Sequence, residues 1–136
     1  MKRVAIIVDK NLEIGAAANV TALLMGQLVI NNPSLYSDQP VVDTDNVQHA
    51  GIKYSTLILK GGKNQIINFS KSLLSDKSSV ECVVFSKTGQ TLNNEFEVYK
   101  EKISNSSIEE TEPVGVIVAG EDEEIRRLTK KFSLLK

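Results

Sequence analysis

The chain has 136 residues, of which 41% are apolar and 24% charged, and its formal net charge is −1. That size and balance fit one globular domain, which buries roughly two-thirds of its unfolded surface and needs no covalent staple. A disulfide framework and a cysteine-rich metal site are excluded, because Cys82 is the only cysteine, and a dedicated nucleic-acid binder is disfavoured, because the basic excess that drives phosphate affinity is missing.

At the N-terminus, Lys2 and Arg3 precede an apolar run that stops at Asp9, too soon for a signal-peptide core. No apolar stretch is read as approaching the roughly 20 residues that span a bilayer. The expectation is a cytoplasmic protein with no membrane partner.

Val4 to Val8 is continuous, apolar and β-branched, the pattern of a strand covered on both faces. Asp9-Lys10-Asn11 turns the chain. A helix is predicted from Gly15 to about Val29, with Ala17, Val20, Leu24 and Leu28 as its inner stripe and Pro33 beyond its end. Residues 34–53 carry turn chemistry, within which Val41-Val42 reads as a short strand or hairpin arm. Thr56 to Leu59 predicts a second strand, broken by Gly61-Gly62. A helix to about Leu74 follows, with Ile66, Ser70, Leu73 and Leu74 on one face. Val80 to Phe85 predicts a third strand. Leu92, Phe96, Tyr99 and Ile103 fall at helical spacing, and Ser104 to Glu112 reads as a polar loop. Val114 to Val118 predicts a fourth strand, and Glu121 to Phe132 a closing helix with Ile125, Leu128 and Phe132 facing inward. Buried strands alternating with amphipathic helices imply an α/β sheet with helices on both faces, in a single domain spanning 1–136.

Several motifs invite chemistry. Gly61-Gly62-Lys63 suggests a phosphate loop, but Asn64 stands where Ser or Thr is required and the glycine spacing is absent, so a strand-to-helix turn suffices. The run Glu121 to Glu124 ahead of Arg126, Arg127, Lys130 and Lys131 complements a helix dipole better than it makes a basic patch. Cys82, inside a strand of Val and Phe, reads as a buried residue rather than a nucleophile.

The turn after the first strand carries more. Ligands of open α/β sheets bind outside the carboxyl ends of the strands. Asp9, Lys10, Asn11 and Glu13 lie there. Gly15 permits close approach to a helix N-terminus suited to an anion, and Asn19 is one turn inside. The loop Ser86 to Thr91 opens on the same side if the first and third strands are parallel. The same residues also suit two polar connections with helix caps. His49, the only histidine, sits near Asp43 in the irregular stretch and suits either proton transfer or a structural hydrogen bond. A lone histidine without His or Cys partners is no metal site.

The string Asn11-Leu12-Glu13-Ile14-Gly15-Ala16-Ala17-Ala18-Asn19, after a buried strand ending in Asp9, resembles the opening signature of a domain of unknown function family, DUF2000. Asp43 through His49 to Gly51-Ile52 is similar to its second signature. Phe85 and Gln90 resemble its third, although the acid expected near Lys87 is missing. Leu128-Thr129 and Leu134-Leu135 look like its closing helix and tail. That family is similar to peptidyl-tRNA hydrolase type 2. The resemblance implies a three-layer α/β/α sandwich around a mixed four-stranded sheet, and a homodimer. It does not carry the hydrolase chemistry with it. The lysine pair around a glycine in those hydrolases falls at Glu13, Ile14 and Gly15 here, and Lys87 stands in place of their acid ahead of Gly89 and Thr91.

These readings lead to a small anionic ligand at the carboxyl edge of the sheet, held by Asn11, Gly15, Asn19, Thr88 and Gln90, with His49 and Asp43 supplying any proton transfer and no cofactor or metal. One alternative is a peptidyl-tRNA or related ester hydrolase in which Lys10 or Lys87 replaces the missing lysine. Another is a non-enzymatic dimeric interaction module.

Overall fold

The computed structural model describes residues 1–75 and 79–136. Strand β1 (Lys2–Asp9) leads through a short turn into helix α1 (Ile14–Asn31), and Pro33–Leu35 forms a single 3-10 turn. A hairpin of β2 (Val41–Val42) and β3 (Gln48–His49) follows. Then come β4 (Ser55–Gly61), α2 (Lys63–Ser75), β5 (Glu81–Ser86), α3 (Lys87–Thr91), α4 (Phe96–Ser104), α5 (Ile108–Thr111), β6 (Pro113–Glu121), α6 (Asp122–Thr129) and β7 (Ser133–Leu134).

The main sheet has five strands in the order β5-β6-β1-β4-β7. β1 runs parallel to β4 and antiparallel to β6, and β5 is antiparallel to β6. β5 therefore points the same way as β1, which meets the condition set by the sequence. The expected count of four strands is corrected to five. The closing helix stops at Thr129 instead of reaching Phe132, and the tail turns back to pair Leu134 with Leu59 and Ser133 with Lys60.

The apolar run of β1 is continuous because successive side chains enter different cores. Val4, Ile6 and Val8 pack with Val20, Leu24 and Leu28 of α1, whereas Ala5 and Ile7 pack with Ile66 and Phe69 of α2, Ile125 of α6 and Phe132. The architecture is thus a mixed sheet between two helical layers. Gly115 of β6 is what lets α1 close down. A Cβ there would lie 2.6 Å from Val20 Cγ1 and 3.2 Å from Leu24 Cδ1.

Other expectations need adjustment. On α2 the inner face is Ile66, Phe69 and Ser70, while Leu74 is exposed. The predicted third helix is broken at Asn94, whose φ of 67° is left-handed, into α3 and α4, and Phe96 is exposed. The polar stretch 104–112 contains α5, started by a capping box in which Ser107 Oγ accepts from the Glu110 N–H and the Glu110 carboxylate accepts from the Ser107 N–H. Cys82 lies on the edge strand β5 and is exposed rather than buried. Where neighbours shield its thiol they push it up to about 11, so it carries no thiolate near neutral pH.

Helix α1 has no charged residue in its 18 positions and a mean hydropathy of 1.4, long and apolar enough by composition to cross a bilayer. The sequence reading passed over it. Its buried stripe on the sheet accounts for one apolar face, as in the core helix of a layered domain.

Candidate functional site

Because β1, β4 and β5 share a direction, the turns that leave them gather at one edge. The start of β6 arrives at the same edge. The turn after β1 is fixed by three bonds: the Asn11 N–H donates to Asp9 Oδ1 at 2.9 Å, the Leu12 N–H to the Asp9 carbonyl at 3.1 Å, and the Lys10 N–H to the Gly61 carbonyl at 2.9 Å. The turn after β5 is pinned to the start of β6. The Lys87 N–H donates to the Glu112 carbonyl at 2.8 Å, and Thr88 Oγ1 donates to the Thr111 carbonyl at 3.2 Å. The β5–β6 register shifts between Phe85 and Ser86, and Glu112 takes a left-handed φ of 57°. Bulges of this kind re-aim side chains next to sites.

Two clefts open on either side of the β1–α1 turn, sharing Leu12 as a ridge. The first, of about 240 Å³, is lined by Asp9, Leu12, Lys63, Lys87, Gln90, Glu112, Pro113 and Val114. In it Lys63 Nζ lies 3.1 Å from Glu112 Oε1. That hydrogen bond, with the charges of Lys63 and Lys87, holds the Glu112 carboxyl below the usual carboxylate range. The cleft therefore contains two cations and two anions. The glycine turn beside it is the strand-to-helix connection expected from sequence, since the Gly62 N–H is taken by Gln65 Oε1 at 2.9 Å and Lys63 by Glu112.

The second cleft, of about 350 Å³, is lined by Lys10, Asn11, Leu12, Ile14, Ala17, Lys60, Leu135 and Lys136. Its floor is apolar. Among the described residues, none of Lys10, Lys60 and Lys136 has a carboxylate within ion-pair distance. The N-terminus of α1 borders it, and Glu13 makes no side-chain cap there.

A family model described as a protein of unknown function, DUF2000, matches residues 2–136. The chain belongs to the DUF2000 family. A solved structure of a protein of unknown function from Agrobacterium tumefaciens str. C58 superposes with a TM-score of 0.82 at 15% identity, over 99% of this chain and 98% of that one. At that identity the likeness shows the fold. No curated protein matches the sequence.

The opening signature of this DUF2000 chain builds the edge itself. Asn11 lines the lysine cleft and Gln90 the charge-balanced one, so the structure places these two candidates in adjoining clefts. Gly15 is exposed, and a Cβ there would meet no atom within 4 Å. Asn19 is exposed one turn further on and lines neither cleft, and Thr88 is occupied by its bond to Thr111.

The second signature lies elsewhere. His49 Nε2 is 2.7 Å from Asp43 Oδ2, so that predicted pairing is present. Asp43 Oδ1 also accepts from the N–H groups of Asp45 and Val47 at 2.8 and 3.1 Å. These bonds, that of His49 first, keep the Asp43 carboxyl below its ordinary value. Both residues are exposed on the hairpin, which joins the end of α1 to the beginning of β4, and neither lines a cleft at the carboxyl edge. The structure does not bring His49 and Asn19 together around one cavity.

The sequence reading missed Lys60, Lys136 and Glu112, and named Lys63 only to set it aside. Lys60 follows the second predicted strand directly, a signal that could have assigned it to this edge, whereas no local pattern marks Lys136 or Glu112. Lys60 meets Lys136 only because the tail returns along β4.

Proposed function

We propose that this DUF2000 protein binds a small anionic ligand at the carboxyl edge of its sheet, in the cleft of Lys10, Lys60 and Lys136. One observation carries the reading: Lys10, Lys60 and Lys136 line one cavity of about 350 Å³, and among the described residues none of their side chains has a carboxylate within ion-pair distance. Like charges held together repel, and an anion removes that repulsion. The exposed start of α1 adds N–H donors and a favourable dipole, and Gly15 leaves room to reach them. The volume lies in the range of small-molecule sites. Leu12, Ile14 and Ala17 offer a surface to an apolar portion of the ligand. Proton transfer by His49 and Asp43 is no part of this proposal, because the hairpin that carries them does not line the cleft.

Titration with inorganic phosphate and with hexanoate, followed by amide chemical shifts, tests the reading. Shifts confined to residues 10–17, 60 and 135–136, weakened several-fold by Lys60→Gln and by added salt, are expected. An absence of saturable shifts with either anion removes it. The relation to peptidyl-tRNA hydrolase type 2, with Lys87 as the substituted residue, predicts release of peptide from peptidyl-tRNA that Lys87→Met abolishes. No turnover above background ends that alternative.

A second reading, the dimeric interaction module, draws support from the outer face of α1, where Leu23 and Ile30 are 47% and 74% exposed on a helix without charge. It predicts a homodimer in analytical ultracentrifugation that Leu23→Lys converts to a monomer.

A further inference from the structure

The charge-balanced cleft has a feature the lysine cleft lacks. Its four ionised groups fall into one internal pair and two leftovers of opposite sign. Lys63 and Glu112 satisfy each other at 3.1 Å. Asp9 has no cationic partner within ion-pair distance among the described residues, and one of its oxygens accepts only the Asn11 N–H. Lys87 likewise has no carboxylate within that distance, although Glu112 lies close enough to feel its charge. Asp9 ends β1, while Lys87 begins the connection after β5, with β6 between those strands. The two leftover charges therefore come from different walls of one cavity.

The same cavity is lined by apolar Leu12, Pro113 and Val114 and by Gln90. Bulge and backbone hold this arrangement in place. The Lys87 N–H is tied to the Glu112 carbonyl at 2.8 Å, and the left-handed Glu112 turns its carboxylate towards Lys63. The volume of about 240 Å³ is below the usual range for drug-sized ligands, which restricts the occupant to something small.

We infer that this second cleft binds a small zwitterion of the chemical class of a free α-amino acid with an apolar side chain, its ammonium on Asp9, its carboxylate on Lys87 and its side chain on Leu12, Pro113 and Val114. Either charge alone would leave one wall unmatched. A dianion meets the Asp9 and Glu112 carboxylates, and a simple cation meets Lys63 and Lys87. Only an occupant with both signs matches both leftovers, and its size must suit the cavity. The cleft is separate from the lysine cleft, so the inference does not rest on the anion reading.

The test uses the full chain and L-valine, with N-acetyl-L-valine and L-valinamide as controls that remove one charge each. Titrations followed by amide shifts and by calorimetry are expected to show saturable L-valine binding, with shifts at Asp9, Lys87, Gln90 and Val114. Each blocked derivative is expected to bind at least about tenfold more weakly, the loss of one charge-assisted contact. Asp9→Asn keeps the acceptor for the Asn11 N–H, so the fold is retained. It should abolish the discrimination between L-valine and its N-acetyl form while leaving that against the amide, and Lys87→Met should do the reverse. Three results overturn the inference: no saturable L-valine binding at tens of millimolar, equal affinity for the blocked derivatives, or binding that Lys60→Gln removes and Lys87→Met does not. The last would place the amino acid in the lysine cleft.

Discussion

Gly115→Ala isolates the contact that sets the distance between α1 and the sheet. Gly115 is held on both sides, registered with Val8 of β1 and with Phe85 of β5, so its backbone has little freedom to retreat. A new Cβ would lie 2.6 Å from Val20 Cγ1, well inside contact, and 3.2 Å from Leu24 Cδ1. Val20 is fully buried and β-branched, and a valine in a helix has one strongly preferred rotamer, so it cannot turn aside. The helix itself must lift. Overpacking of this kind costs about 1–3 kcal/mol. For a domain of 136 residues the unfolding entropy is ~0.29 kcal/mol/K, so the melting temperature should fall by roughly 4–10 °C. The matched control is Gly26→Ala on the outer side of α1, where a Cβ meets nothing within 4 Å. There the same added methyl lowers only the entropy of the unfolded chain and improves helix propensity, worth about 0.5–1 kcal/mol and a rise of roughly 2–3 °C. Differential scanning calorimetry on the two variants decides the matter. A Gly115→Ala protein that melts at or above the Gly26→Ala protein would refute the packing argument, because both variants share the unfolded-chain effect of the added methyl.

Three further outcomes follow from the geometry. Gly15→Leu should not destabilise the fold, because a better helix former replaces a glycine of α1 whose Cβ would meet nothing within 4 Å, yet it should weaken phosphate binding in the lysine cleft by covering the start of α1. Calorimetric stability and phosphate titration on the same sample check both halves. His49→Ala should raise the Asp43 carboxyl towards its ordinary value without reaching it, because the Val47 and Asp45 amides still hold it down. A carbon-detected pH titration of Asp43 reads this. The folded carboxyl is depressed, so the pair favours the folded hairpin at and above the ordinary carboxylate range and loses that effect as pH falls through the lowered value. Lys63→Met should raise the Glu112 carboxyl by removing its hydrogen bond and nearest charge, leaving Lys87 as the remaining cation. Titration of Glu112 by NMR gives the size of that change.

Much of the fold was legible in the residues because two periodicities govern it. The unbroken apolar run of Val4 to Val8 implied layers on both faces, and the stripe of Ala17, Val20, Leu24 and Leu28 is the buried face of α1. Elements of low apolar content were harder to read. The polarity of Ser104 to Glu112 reads as a loop, whereas the capping box of Ser107 and Glu110 starts α5 within it. Strand β7 has only two residues, and nothing local distinguishes Ser133-Leu134 from a helix end. Its place is set by the exposed edge of β4. The candidate site divided along the same line. Asp9, Lys10, Asn11, Lys60 and Gln90 end or follow strands and could be assigned to the carboxyl edge, whereas Lys136 and Glu112 reach it by tertiary pairing alone. His49 was linked to Asp43 by nearness in sequence, which a hairpin preserves, but nearness says nothing about the other end of the sheet.

The contrast between the two clefts has its cause in strand direction. In a wholly parallel sheet the carboxyl edge would present strand ends and helix N-termini, all favouring negative charge. Here β6 runs against its neighbours, so the residue that precedes it arrives at that edge too. That residue is Glu112, and its carboxylate neutralises Lys63 and approaches Lys87. The cleft beside β6 becomes balanced. The cleft on the other side of the β1–α1 turn borders β4 and the tail instead. No described carboxylate pairs with its lysines, and the tail adds Lys136 to Lys10 and Lys60. β6, reversed between β1 and β5, therefore divides a single edge into a cationic cleft and a dipolar one. Glu112→Gln should shift the first cleft towards the second: it frees Lys63 and leaves Asp9 as the anion beside two lysines, and phosphate shifts should then appear at Lys63 and Lys87 as well as at Lys10 and Lys60. If phosphate still avoids the first cleft in that variant, charge is not what separates them.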